Sequence, residues 1–139
     1  MTPVPAPLTI RTPAFLLDQV VVTCLVVPPV LGLGVEFGTI VSPGEPRQLV
    51  FVALMAVAFA YHFLAEWLTG RTLGKELFNL RVLADDGSAL GLRGSFLRNA
   101  LRLIDGLGYW SVAVFVILLR GDGKRIGDVV GRTLVVQSD

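Results

Sequence analysis

Charged residues and thiols are both scarce in this sequence. Only 17 % of its 139 residues are charged, against about 25 % in an average soluble domain. A single cysteine, Cys24, excludes an intrachain disulfide, and a single histidine, His62, leaves little material for a metal or haem site. Twelve basic residues nearly balance eleven acidic ones, so no strong net field favours nucleic acid. We therefore expect no metal, no cofactor and no nucleic acid partner.

Hydrophobic residues dominate instead. They make up 53 % of the chain, and the mean hydropathy is +0.70. A soluble enzyme needs more surface charge than this, so the composition favours a small, non-enzymatic membrane protein. A helix crosses the hydrocarbon core with about 20 mostly apolar residues, and the segments 14–35 and 48–69 meet that length. A third segment, 96–119, begins with charged residues, and its apolar part is too short for a complete span.

These segments divide the chain into a single membrane domain of six parts. The fold class we expect is an α-helical membrane protein with two full transmembrane helices, a third short or re-entrant segment and a small cytoplasmic β element. Four prolines favour an extended leader at the N-terminus. The expected parts are the leader (1–13), the first span (14–35), the second span (48–69), a polar loop (70–95), the third membrane segment (96–119) and a tail (120–139).

The distribution of lysine and arginine predicts the orientation. The connection between the two spans holds only Arg47, whereas the loop 70–95 holds four basic residues and is therefore expected on the cytoplasmic side. The N-terminus is then cytoplasmic too, in a multi-pass protein of the cell membrane. The tail is also basic, which leaves two alternatives for 96–119. It is either a re-entrant hairpin that bends near 106–108, which we favour, or a third span that violates the charge rule.

The polar loop carries signals for strands. Residues 78–83 nearly alternate between apolar and polar, and Asp85-Asp86-Gly87-Ser88 supplies a turn, which predicts a β-hairpin. Residues 133–136 are a second strand-like run that could pair with 80–83 as a third strand. The basic turn 70–75 resembles a phosphate-binding loop only superficially, because Glu76 follows Lys75 where serine or threonine is needed. We expect this turn to lie on anionic headgroups.

Ionisable residues are predicted at membrane depth in three separate segments. Each costs about 2.5–3.5 kcal/mol at a helix centre, so such side chains usually face the interior of the bundle. The residues expected to converge there are Asp18, His62, Glu66, Arg98, Arg102 and Asp105. One interpretation is a buried salt-bridge network that holds the helices in register. The other is an ion site, in which the carboxylates bind protons or a small cation and His62 relays protons near neutral pH.

Four motifs, in order along the chain, resemble those of the RDD family of small integral membrane proteins. Arg11 is followed seven residues later by Asp18. The other three motifs are TLGK…LRV (72–82), LRN…R…ID (97–105) and RIGD…GRTLVV (125–136). The resemblance implies that Arg11, Asp18 and Asp105 are the residues that give the family its name. It also implies a membrane role for which transport, including cation/proton exchange, is a common suggestion.

The sequence therefore predicts a transport-related protein that exchanges a small cation for protons through Asp18, Glu66 and Asp105. Its charge partners would be three arginines: Arg11, Arg98 and Arg102. Three membrane segments can hardly enclose a pathway, so this hypothesis requires a homo-oligomer or another membrane protein as partner, besides the lipid bilayer. The alternative is a non-enzymatic membrane scaffold or assembly factor. In that case the loop binds the partner, and the buried charges are structural.

Overall fold

The computed structural model describes residues 4–107, 119, 124 and 126–138. Residues 108–118, in the third predicted membrane segment, lie outside this part of the chain. The described residues are mostly helical. In chain order the elements are α1 (Leu8–Gly32), α2 (Phe37–Val41), α3 (Glu45–Thr69), α4 (Leu73–Leu77), β1 (Leu80–Ala84), α5 (Leu92–Leu107), α6 (Ile126–Gly131) and β2 (Thr133–Gln137).

The two longest helices are long and apolar enough to cross a membrane. Helices α1 and α3 have 25 residues each, which gives each a length of about 37 Å. Helix α1 starts six residues before the expected first span and contains Pro13. This proline removes only the bond to the carbonyl of Thr9, near the start of the helix, so the helix tolerates it. Helix α3 ends where Gly70 adopts a left-handed conformation (φ 73°), as is common after a helix.

Helices α1 and α3 pack against each other, with an apolar core near the connection between them. Its buried residues are Val26 of α1, Ile40 of α2 and Val50 of α3. The short helix α2 therefore covers the end of the helix pair that lies farthest from α4. At the opposite end, the buried residues of both long helices become polar, which places the charged side chains there.

The sheet has two strands, and it lies beside the start of α1. Strand β1 pairs antiparallel with β2, with Val82 opposite Val135. The N–H of Ala6 donates to the carbonyl of Val135 (2.8 Å), so the chain before α1 bonds to β2 as well. Buried apolar side chains fill the space between the sheet and α1: Ala6, Ala14, Leu80, Val82, Leu90 and Val135.

The hairpin expected over 78–90 is reduced to a single bridge. Only Leu83 and Ala89 pair across the turn, and the extended partner of β1 is β2. The turn itself is well formed, because the N–H of Ser88 donates to Asp86 Oδ1 (2.9 Å) and Gly87 has a positive φ of 83°. Helix α5 begins at Leu92, which leaves no room for a second strand.

Helix α6 lies directly on the backbone of α5. A Cβ atom at Gly127 would be 2.6 Å from the carbonyl oxygen of Arg98, and one at Gly131 would be 3.0 Å from that of Gly94. Small residues allow helix backbones to approach this closely. The contact brings Asp128 of α6 next to Arg98 of α5, and this pair forms part of the site.

Candidate functional site

Charged side chains, four of them buried and one half-buried, form a continuous chain at the end of the helix pair. They come from five helices, and positive and negative groups alternate along the chain. The order is Lys75 (α4), Glu66 (α3), Arg98 (α5), Asp128 (α6) and Arg11 (α1). Charges removed from water need both a partner of opposite sign and hydrogen bonds to be tolerated. Because positive and negative groups alternate, each member of the chain bonds to a partner of opposite sign.

Glu66 is the centre of this chain, and it is fully buried. Its carboxylate accepts hydrogen bonds from Lys75 Nζ, from Arg98 Nε (3.0 Å) and from Asn99 Nδ2 (3.0 Å). Asn99 also donates to the carbonyl of Ser95 (2.9 Å), one turn earlier on α5. The last turns of α3 are thereby bonded to α4 on one side and to α5 on the other.

Arg98 bonds to groups on three other elements. Its Nε faces Glu66 of α3, and its Nη1 contacts Asp128 of α6 and lies 3.4 Å from Thr133 Oγ1 of β2. The other carboxylate oxygen of Asp128 accepts from Arg11 Nη2 at 3.2 Å. Arg98 therefore connects α3 to α6, and Asp128 connects α6 to α1.

Asp18 lies in a separate part of the site, at the start of α4. Its carboxylate accepts from the Tyr61 hydroxyl (2.8 Å), the Thr72 hydroxyl (2.6 Å) and the N–H of Gly74 (2.8 Å). Thr72 is the N-cap residue of α4. The Tyr61 hydroxyl also accepts from the N–H of Leu73 (2.9 Å). Asp18 and Tyr61 therefore satisfy backbone donors of α4 that no helical carbonyl can reach.

Close packing fixes α4 on α1. A Cβ atom at Gly74 would collide with the carbonyl oxygen of Ala14 and would be 2.9 Å from the Asp18 carboxylate carbon. Only glycine allows this approach without displacing the backbone of α1. The next residue, Lys75, is then directed into the interior towards Glu66.

Lys75 is buried, although the sequence led us to expect its turn on lipid headgroups. Burial lowers the pKa of its ammonium group to about 8, and the neighbouring Glu66 carboxylate offsets only part of this effect. Arg71, in the same turn, is half-buried and bonds to Ser138 Oγ (2.9 Å). The basic side chains of this turn therefore contact the protein itself, where the sequence predicted contact with lipid headgroups.

The predicted site residues fall into two bonded groups. Glu66, Arg98 and Arg11 belong to the chain of charges, with Asp128 between the two arginines, whereas Asp18 bonds to α4. The ring of buried His62 packs against that of Tyr61, with centroids 5.0 Å apart. Buried Arg102 lies over the ring of Phe15, 5.4 Å from its centroid. The side chain of Asp105 lies outside the described part of the structure.

Sequence reasoning missed Lys75 and Asp128 as members of the site. Both belong to motifs that carried the family resemblance, TLGK and RIGD. Lys75 lies in a basic turn directly after the second span, where anionic headgroups are the expected contact. Its partner Glu66 lies on the preceding helix, and only the fold of α4 onto α1 brings the two together.

The carboxylates of the site accept hydrogen bonds from other groups of the protein. Asp18 and Glu66 each accept from three protein groups, and Asp128 bonds to two arginines. Within the described residues, no group of three His, Cys, Asp or Glu side chains could hold a metal ion. A cation at Glu66 or Asp128 would lie next to a lysine or an arginine that already neutralises the carboxylate.

The structure is mostly helical, with two long apolar helices that could cross a membrane and a buried charged site at one end of the pair. The sequence pattern of the RDD family matches residues 5–132, so the chain belongs to this family and the resemblance is confirmed. The chain is also similar to a protein of Bacillus subtilis (strain 168) named "Uncharacterized protein YckC". The two are 26 % identical over 136 residues, which cover 94 % of this chain and 83 % of the relative. No solved structure matches the chain.

Proposed function

We propose that this RDD-family protein is a non-enzymatic membrane scaffold. Its buried charges hold a surface unit, formed by α4, β1, α6 and β2, on the ends of α1 and α3. The protein would span the cell membrane more than once, with this unit and the N-terminus on the cytoplasmic side of the membrane. The excess of basic residues in the loop that contains α4 and β1 supports this orientation.

The bonds between the buried carboxylates and donors on other elements carry this proposal. Asp18, Glu66 and Asp128 bond to donors on other elements of the chain, so each connects parts of the fold. A transport site must bind and release its ion, which requires a ligand group that exchanges partners easily. Breaking a buried ion pair by removal of one partner costs about 3–5 kcal/mol. This cost favours a structural role for Glu66, Arg98 and Asp128.

A scaffold acts through a partner, which we propose is a second copy of the chain or another membrane protein. Two long helices cannot enclose a pathway by themselves. Apolar side chains are exposed along both helices, for example Leu16 and Val20 on α1 and Val52 on α3. Such positions can contact either lipid or the helix of a neighbour.

A second candidate function is exchange of protons for a small cation. One observation favours it: Lys75 is a buried base with a lowered pKa of about 8, in contact with Glu66. A proton could leave this pair near physiological pH. Asp18 and Glu66 would then be part of a site whose charge changes during a transport cycle.

Flux measurements separate the two candidates. Full-length protein is reconstituted in liposomes with an imposed pH gradient and then challenged with Na⁺, Li⁺ or K⁺. The scaffold proposal predicts no cation-dependent collapse of the gradient, and it predicts that Asp18→Asn changes only stability. The exchange proposal predicts that the cation collapses the pH gradient with the unchanged protein. It also predicts that folded Asp18→Asn and Lys75→Met proteins no longer do so. Lys124→Met is the matched control, because Lys124 pairs with exposed Asp85.

A further inference from the structure

Helix α5 has its polar side inside and its apolar side outside. The buried side chains on one face are Ser95, Arg98, Asn99 and Arg102. Around the rest of the helix, Leu92 is 52 % exposed, Phe96 49 % and Ile104 52 %. A helix on the surface of a soluble domain normally shows the reverse arrangement, with its apolar stripe towards the core.

Helix α4 repeats this inverted pattern. Lys75 is buried, whereas Leu73 is 61 % exposed and Leu77 is 69 % exposed. The two leucines are four residues apart, so they share one face of the helix. Helices α4 and α5 lie on two sides of Glu66, which bonds to Lys75 and to Arg98. The exposed side chains of both helices therefore point away from the charged site.

These side chains, which we call the outer apolar residues, are Leu73, Leu77, Leu92, Phe96 and Ile104. Phe96 packs edge-on against Phe59 and Phe63 of the long helix α3, where Leu64 and Leu68 are also exposed. Soluble proteins rarely expose apolar surface over several neighbouring elements, and such surface marks a protein or membrane contact. Continuity with a helix that can span the bilayer favours lipid as the contact.

An exposed basic residue lies at the beginning of α5, where Arg93 is the second residue of the helix. Arg71, before α4, is bonded to Ser138 and Glu76 instead. Anionic headgroups attract arginine and lysine at the membrane surface, and long side chains can reach the headgroups while their stems cover apolar surface. The charge next to the outer apolar residues is thus complementary to an anionic leaflet.

We propose that α4 and α5 lie within one leaflet, with the outer apolar residues in contact with the acyl chains of anionic phospholipids. Arg93 would contact the headgroups. The polar sides of both helices would then face the charged site and not the lipid. Helix α5 has 16 residues and a length of about 24 Å, shorter than the hydrocarbon core of about 30 Å. An orientation along the leaflet suits this length, and the proposal does not depend on whether the protein is a scaffold or an exchanger.

Spin labels at single cysteines test this placement. The full chain carries Cys24→Ser, and one cysteine is added by Leu77→Cys or by Phe96→Cys. Leu64→Cys on α3 is the control for lipid, and Ser88→Cys in the turn after β1 is the control for water. The labelled proteins are reconstituted in vesicles of phosphatidylcholine with phosphatidylglycerol. Collisions of the label with oxygen, which concentrates in lipid, are compared with collisions with a water-soluble nickel chelate.

The expected ratio of oxygen to nickel collisions at residues 77 and 96 is close to that at residue 64 and higher than that at residue 88. A ratio like that of residue 88 would place the two helices in water and overturn the proposal. Protection from both reagents would indicate a protein contact and would overturn it as well. In vesicles of phosphatidylcholine alone, we expect the ratio at residues 77 and 96 to fall. An unchanged ratio would overturn the part of the proposal that concerns anionic lipid.

Discussion

Glu66 on α3 and Arg98 on α5 form a fully buried ion pair, with Arg98 Nε 3.0 Å from Glu66 Oε2. The two residues are 32 positions apart in the sequence, so the pair connects distant parts of the chain. Each of them also bonds to another charged residue: Glu66 to Lys75, and Arg98 to Asp128. The pair is therefore the central connection between the long helices and the surface unit.

Gly74→Ala should destabilise the protein by about 1–3 kcal/mol, the usual cost of overpacking. The new methyl group would collide with the carbonyl oxygen of Ala14 and displace α4 from α1. Thermal unfolding in detergent measures the effect. Gly38→Ala on α2 is the matched control, because a Cβ atom there has open space around it. Equal melting temperatures of the two variants would show that α4 does not pack on α1 in this way.

Asp18→Asn should loosen α4 more than any other element. The amide offers one acceptor oxygen and a donor group, so it cannot accept from all of Tyr61, Thr72 and Gly74. Hydrogen bonds to charged groups contribute about 1.5–3 kcal/mol. Amide hydrogen exchange should become faster at 73–77 and remain unchanged along the middle of α3. Asp86→Asn, in the exposed turn, is the control and should leave exchange at 73–77 unchanged.

The stability of the protein should rise with pH in the alkaline range. The pKa of Lys75 is about 8 in the folded protein, below its ordinary value of 10.5, because burial disfavours the charged form. Between these values the unfolded state binds more protons than the folded state. The free energy of unfolding therefore rises with pH between about 8 and 10.5, by up to about 1.4 kcal/mol per pH unit.

Lys75→Met isolates this contribution from those of other groups that titrate at high pH. Denaturant unfolding at pH 7.5, 8.5 and 9.5, values chosen to bracket a midpoint of about 8, gives the slope for each protein. The unchanged protein and Lys124→Met should gain stability relative to Lys75→Met as the pH rises. Parallel pH profiles for all three proteins would contradict a lowered pKa at Lys75.

The sequence was sufficient to predict the long helices and the family. Runs of apolar residues predict α1 and α3, because a span requires both length and low charge. The RDD motifs predicted the family, and the family pattern matches residues 5–132. Alternation of apolar and polar residues indicated strands near 80–83 and 133–136, and the structure pairs 80–84 with 133–137.

The connections within the site required the structure. The periodicity of α3 places His62 and Glu66 on one face, but it does not indicate which cation reaches Glu66. Lys75 reaches Glu66 because Gly74 allows α4 to lie on α1. A glycine in a short polar turn does not by itself indicate that the next side chain is buried. The ion pair of Asp128 with Arg11 joins residues 117 positions apart, a contact that no local pattern encodes.

The most direct test of the structural role of the buried charges is a double-mutant cycle on Glu66→Gln and Arg98→Gln, measured by unfolding in detergent. We expect a coupling free energy near the upper end of about 0.5–3 kcal/mol, the range for residues in contact. The same cycle on the exposed pair of Asp85 and Lys124 should give about 0.2–1 kcal/mol. A coupling between Glu66 and Arg98 no larger than that of the exposed pair would show that the buried charges do not hold the fold together.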